Sequence, residues 1–251
     1  MSLLQETLAW FSDPAQWSGP TSIPWRIVEH IGYTFFAIVS AAVVAIPAGI
    51  YIGHTGKWRK LAVLSTGSLR ALPFLGLLTL LALWLGIGPL ISIIALAILC
   101  IPQLLAGMYS GIDAVDTHAV DASRAMGMTE TQIILRVELP LAMPVILGGL
   151  RSAVLQVTAT ATVAAFIGAG GLGRYIIDGL ALRDTPRVLG GALVVVLLAL
   201  LLDGLFALAQ HFGARLAHPA AHTAPPVNVL APSPSPNSRR TTHDQPPTHN
   251  S

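Results

Sequence analysis

The run ALPFLGLLTLLALWLGIGPLISIIALAILCIPQLLAGMYSGI, residues 71–112, holds 42 residues without one Asp, Glu, Lys or Arg, and Arg70 and Asp113 flank it. A helix crossing the hydrocarbon core of a bilayer needs about 20 apolar residues, so the run is long enough for two crossings. Gly86, Ile87, Gly88 and Pro89 divide it where a tight turn is expected, because Gly accepts positive φ and Pro cannot continue a helix. The first crossing begins before the run, near Leu61, and reaches about residue 85; Arg70 and Pro73 lie within it and predict a broken span. The second covers about residues 90–109.

Working outward, residues 31–52, 144–167 and 188–210 form three more stretches of spanning length, with Pro47 placed to kink the first. The expected fold is therefore an all-α integral membrane protein of about five transmembrane helices. Only 10% of the 251 residues are charged, against about a quarter in an ordinary soluble domain. The 14 basic and 12 acidic residues are too evenly balanced to suggest nucleic-acid binding. The single cysteine, Cys100, lies inside the uncharged run and reads as a small apolar core residue.

Residues 1–26 carry Glu6, Asp13 and three prolines, with no basic segment leading into an apolar one, so no cleaved leader is expected and the first span acts as the targeting signal. Basic residues favour the cytoplasmic side. Placing the loop after the first span inside puts Lys57, Arg59, Lys60, Arg124, Arg136 and Arg215 inside, against Arg26, Arg174, Arg183 and Arg187 outside. The N-terminal segment is then extracytoplasmic. Residues 216–251 hold eight of the 18 prolines among Ser, Thr, Asn and Ala, and are expected to form a disordered cytoplasmic tail. Four histidines in that tail lack the spacing of a metal site, and no metal or cofactor is expected.

Residues 110–143 are the one long polar insert between spans. Asp116 is a good N-cap for a helix over about residues 117–126, which Gly127 can end in the left-handed conformation. Ala119, Ala122 and Met126 give that helix a small apolar face. Thr129 and Gln132 have the spacing of a capping box for a second helix, with Ile133, Ile134 and Val137 as its apolar stripe and Pro140 marking its end or a bend. Helices this short need a surface to pack against, and a partner's groove would provide one.

The insert carries a resemblance. Asp121-Ala122-Ser123, then Gly127 after three residues, then Val137-Glu138-Leu139-Pro140 after nine more, resembles the EAA loop of binding-protein-dependent ABC importer permeases. Every spacing is kept, with Asp for Glu, Ser for the second Ala and Val for Ile. Within that superfamily the chain is most similar to osmoprotectant permeases for glycine betaine, choline and carnitine, through the strings at residues 70–74, 86–89, 137–146 and 166–173. Methionine permeases share the string Ala-Ser-Arg-Ala-Met-Gly at residues 122–127. The resemblance implies a dimer of permeases served by two cytoplasmic ATPase subunits and an external substrate-binding protein. It implies ATPase coupling through Asp121, Ala122, Ser123, Gly127, Val137, Leu139 and Pro140, and an alternating-access import of a small osmoprotectant or, alternatively, an amino acid. The chain itself is expected to be no enzyme: its nearest approach to a phosphate loop, Gly53-His54-Thr55-Gly56-Lys57-Trp58, lacks the spacing and the Ser or Thr for magnesium.

Two other classes compete. Gly168, Gly170, Gly171 and Gly173 formally match a dinucleotide fingerprint, which would suit a membrane oxidoreductase, yet the preceding apolar segment is a full span rather than a strand. A flexible outer loop is the expectation there, at the mouth where the resemblance would dock a binding protein. An ion-coupled secondary transporter would bring internal repeats, and none is visible. Arg70, Arg151 and Asp203 are the charges in or near the spans. An Asp at span centre costs about 3 kcal/mol to insert, which the Val- and Leu-rich stretch before Asp203 can offset, and such residues usually pair inside the bundle. Arg151 and Asp203 are expected to meet. Trp84, Phe74 and Tyr109 are candidates to line a path for a quaternary ammonium ion.

Overall fold

The computed structural model describes residues 2–70 and 72–217, all helices and their connections. Helix α1 (Leu3–Ser12) precedes α2 (Ile23–Thr55), α3 (Arg59–Arg70), α4 (Phe74–Leu85) and α5 (Pro89–Asp113). The polar insert supplies α6 (Thr117–Ala125) and α7 (Glu130–Ile133), and then come α8 (Leu139–Ala164), α9 (Gly173–Leu182) and α10 (Thr185–Ala217). The residues predicted as the tail lie outside the described residues, apart from the last turn of α10.

Among the described residues, four helical stretches are long and apolar enough to cross a membrane: Ile23–Thr55, Pro89–Asp113, Glu130–Ile167 and Thr185–His211. The second expected span, read from sequence as broken, consists of two 12-residue helices on either side of Pro73. At 1.5 Å per residue each reaches only about 18 Å, short of a full crossing. The first span starts eight residues earlier than expected. Arg26 and Glu29 join its first turns because they neutralise one another across 2.8 Å, so neither charge ends the helix.

Helices α2, α5 and α8 form the centre. Ala37, Ala41, Ala45 and Gly49 recur at four-residue intervals on α2 and are all buried, leaving room for α5 to approach. That is how membrane helices associate when no aqueous hydrophobic effect drives them together. Leu96, Cys100 and Leu104 of α5 meet Ala153, Val157 and Ala161 of α8 in the same core. At Gly107 and Gly149 the α5 and α8 backbones touch: a Cβ built on Gly149 would lie 2.6 Å from the Gly107 Cα. A second cluster joins Ile23, Leu172, Tyr175, Val194 and Leu198, with Trp10 and Phe11 of α1 against it.

Three local features depart from the expectations. Pro140 does not end the second insert helix. Residues Ile134–Glu138 widen into a π turn, in which the Leu139 N–H donates to the Ile134 carbonyl, and the helix runs on into α8. The widened turn accommodates the missing proline N–H. The glycine-rich stretch expected as a loop contains α9, and the N-terminal segment, given no element from sequence, contains α1 with a Ser2–Gln5 capping box.

Candidate functional site

The insert is built as its caps dictate. The Asp116 carboxylate accepts the His118 N–H at 2.9 Å and opens α6. At the other end the Gly127 N–H donates to the Arg124 carbonyl and the Met128 N–H to the Ser123 carbonyl, with Gly127 at φ +83°. This is the paired closure that requires a left-handed residue. Thr129 and Gln132 make the expected reciprocal cap of α7. Val120 and Ser123 face inward, whereas Asp121 and Ala122 are exposed and Met126 is 75% exposed. The small apolar face predicted for α6 thus points away from the protein. Of the remaining motif residues, Val137 and Leu139 are half-buried and Pro140 is exposed.

Behind that face runs a chain of charges. Arg124 forks onto Glu130 at 3.0 and 3.1 Å and reaches Asp121 at 3.2 Å. The Glu130 Oε2 that accepts from Arg124 also lies 3.1 Å from His54 Nε2, and His54 Nδ1 lies 2.8 Å from the buried Glu138. The Arg124 guanidinium holds the Glu130 carboxyl below the usual carboxylate range, and Glu130 in turn raises Arg124. Arg59 pairs with Asp113 across the start of α3 and the end of α5. A cleft of about 220 Å³ opens between these groups, lined by His54, Asp113, Asp121, Arg124 and Glu138. Sequence reasoning missed His54, Glu130 and Glu138. His54 and Glu138 are 84 positions apart, and no local pattern relates them; His54 stood in the string set aside as a failed phosphate loop.

The glycine loop at the opposite end is held rather than flexible. Gly171 donates its N–H to Glu29 at 2.9 Å and Gly170 donates to the Tyr33 hydroxyl at 3.1 Å. One turn of α2 also places His30 Nε2 2.9 Å from the Thr158 carbonyl of α8. Gly171 sits at φ +74°, which lets two successive amides face α2. The amides that would cradle a pyrophosphate are occupied by the protein's own side chains, and no strand exists among the described residues.

Arg151 and Asp203 meet in a forked pair at 2.6 and 2.8 Å, and Arg151 also donates to Gln210 at 3.2 Å, tying α8 to α10. Arg70 is the last residue of α3, beside the break. The three aromatics considered for a path are dispersed. Trp84 is 89% exposed at the far end of α4, and Phe74, at the near end, packs against the central core. Ser110 and Ser152 line another groove, of about 400 Å³, together with Ala106, Gly107, Val145 and Gly149, and Ser152 and Gln156 are exposed on one face of α8. On α10, by contrast, Leu197, Leu200, Leu201 and Leu205 are exposed.

A bundle of spanning helices interrupted by one outward-facing, charge-anchored insert, with a groove between α5 and α8, defines a polytopic membrane permease. Residues 45–212 match the family of binding-protein-dependent transport system inner membrane components, and the chain belongs to that family. It is 36% identical over 175 residues to the carnitine transport permease OpuCB of Listeria monocytogenes, covering 70% of this chain and 80% of that one. It is 33% identical over 186 residues to the choline transport system permease OpuBB of Bacillus subtilis (strain 168), covering 74% and 86%. An inward-facing structure of the MetNI methionine ABC transporter superposes with a TM-score of 0.65 at 22% identity, over 78% of this chain and 95% of that chain, which establishes a shared fold. Family membership favours an importer permease over the secondary-transporter and oxidoreductase readings.

Proposed function

We propose that this chain is the membrane permease of an ATP-driven importer of small quaternary-ammonium osmoprotectants such as choline, carnitine and glycine betaine. The carrying observation is the insert. Its α6 presents Asp121, Ala122 and Met126 outward while its inner side is ion-paired to the end of α2 and the start of α8. An exposed apolar and acidic face on a rigid mount suits docking to a separate cytoplasmic ATPase, which would move the spans through α7 and α8. The substrate class rests on what the relatives' names state.

The polar face of α8 supports a second permease subunit. Lipid-facing surfaces are apolar, as on α10, and Ser152 and Gln156 would be poorly placed against hydrocarbon. Facing a second copy or a paralogue across a hydrated path, they would be solvated. In this reading the insert end is cytoplasmic, the glycine loop and α1 are extracytoplasmic, and a binding protein delivers solute to the glycine-loop end.

The test is purification of the tagged chain from membranes. Co-purification of an ATPase, and uptake of labelled choline, carnitine or glycine betaine that stops on ATP depletion and resists excess methionine, are expected. Uptake that survives ATP depletion while an ion gradient is held would overturn the ATP-driven reading, and competition by methionine would overturn the substrate class.

A further inference from the structure

We propose that His54 is a positioning residue through which the insert drives the first spanning helix, acting as the link between two carboxylates in the chain Asp121–Arg124–Glu130–His54–Glu138. The inference rests on the coupling reading of the insert given above. Its grounds are geometric. His54 is in the last turn of α2, and its side chain is only 11% exposed. One ring nitrogen faces Glu130 at 3.1 Å and the other faces Glu138 at 2.8 Å. The ring is thus held between two carboxylates, one from the insert and one from the turn that leads into α8.

The three linked groups belong to three moving parts. Glu130 opens α7 and is gripped by Arg124 of α6, Glu138 closes the π turn that leads into α8, and His54 lies in the last turn of α2. Gly56, two residues on, ends the helix with φ +67°, so His54 holds α2 close to where the chain turns away. The other charged groups lining the cleft are Asp113, itself paired with Arg59, and Asp121. A push on α6 therefore reaches α8 through the covalent chain and reaches α2 through His54. Without that link α8 could move while α2 lags, and hydrolysis on the partner would no longer be converted fully into rearrangement of the bundle.

The experiment compares solute imported per ATP hydrolysed in proteoliposomes holding the whole complex. Four variants are made: His54→Leu, His54→Lys, Glu130→Gln and Glu138→Gln. Glu130 is 56% exposed, so its variant tests the link even where His54→Leu fails to accumulate in membranes. The expected result is retained ATPase binding and hydrolysis, with the transport ratio in His54→Leu, Glu130→Gln and Glu138→Gln reduced about tenfold, within the range that coupling between distant sites commonly carries. His54→Lys, whose ammonium can donate to both carboxylates, is expected to recover most of it. A wild-type ratio in Glu130→Gln and Glu138→Gln, or a Lys variant no better than Leu, would overturn the proposal. Failure of the unmodified chain to bind any ATPase would instead overturn the permease reading beneath it, and the two failures are distinguishable because the second appears before any substitution is made.

Discussion

Gly107 and Gly149 show how little room a single residue has in this bundle. A Cβ on Gly149 would lie 2.6 Å from the Gly107 Cα, a backbone atom that cannot rotate away. Gly149→Ala is therefore expected to destabilise the protein by about 1 to 3 kcal/mol through overpacking. Its neighbour Gly148 provides the comparison: there a Cβ meets only the Gln210 Nε2, at 3.4 Å, so Gly148→Ala should be nearly neutral. Thermal unfolding of the two purified variants in detergent checks the difference. The Arg151–Asp203 pair belongs to the same scale and was legible in sequence, because two intramembrane charges of opposite sign at matching depths have few other ways to be accommodated. The His54 contacts were not legible, since nothing local in a histidine at a helix end distinguishes a solvated side chain from one held between two carboxylates.

Among the elements, α6 and α7 followed from their caps, which are local interactions between residues two or three apart. The π turn did not. Pro140 signals that an ordinary hydrogen bond is missing, and a stop, a kink and a widened turn all answer that signal; packing of α8 onto α5 selects the widened turn. Helix α9 was hidden by the glycines around it, and it is held by burial of Tyr175 against Trp10, with ring centroids 5.3 Å apart. The hinge between α6 and α7 gives the prediction proper to this scale. Gly127 at φ +83° has open space around it, so Gly127→Val meets a conformational obstacle rather than a clash, at a cost of about 1 to 2 kcal/mol for a left-handed L-residue. Membrane insertion should be unaffected and uptake should fall at least several-fold; normal uptake in that variant would sink the coupling role of the insert.

At the scale of the molecule, two outward surfaces differ in kind. The leucines of α10 suit lipid, and α8 carries exposed Ser152 and Gln156 among apolar residues such as Val145, positions that suit water or a second subunit. Ser152→Trp should fill the groove beside Gly107 and Gly149 and abolish uptake, while Leu201→Trp, 70% exposed in its parent residue, should be tolerated. Uptake assays normalised to membrane abundance distinguish them, and equal sensitivity at both positions would argue that the α8 face lines no path. The pinned glycine loop adds a second contrast between ends. Glu29, His30 and Tyr33 clamp one end of the bundle onto a single helix, whereas His54 and its carboxylates bind the other end to the insert.

Chain composition was enough to establish that this is a helical membrane protein, because an uncharged run of 42 residues has no other inexpensive solvent than lipid. The spacing of the insert was enough to place it in a family, because helix caps and a glycine hinge act over a few residues. Folding alone settled which other side chains from distant positions share a contact: Glu29 with Gly171, and His54 with Glu130 and Glu138. Those contacts depend on the depth and rotation of whole helices, which are set by how small residues such as Ala41 and Gly149 let the backbones approach, and that is a property of the packed bundle rather than of any one segment.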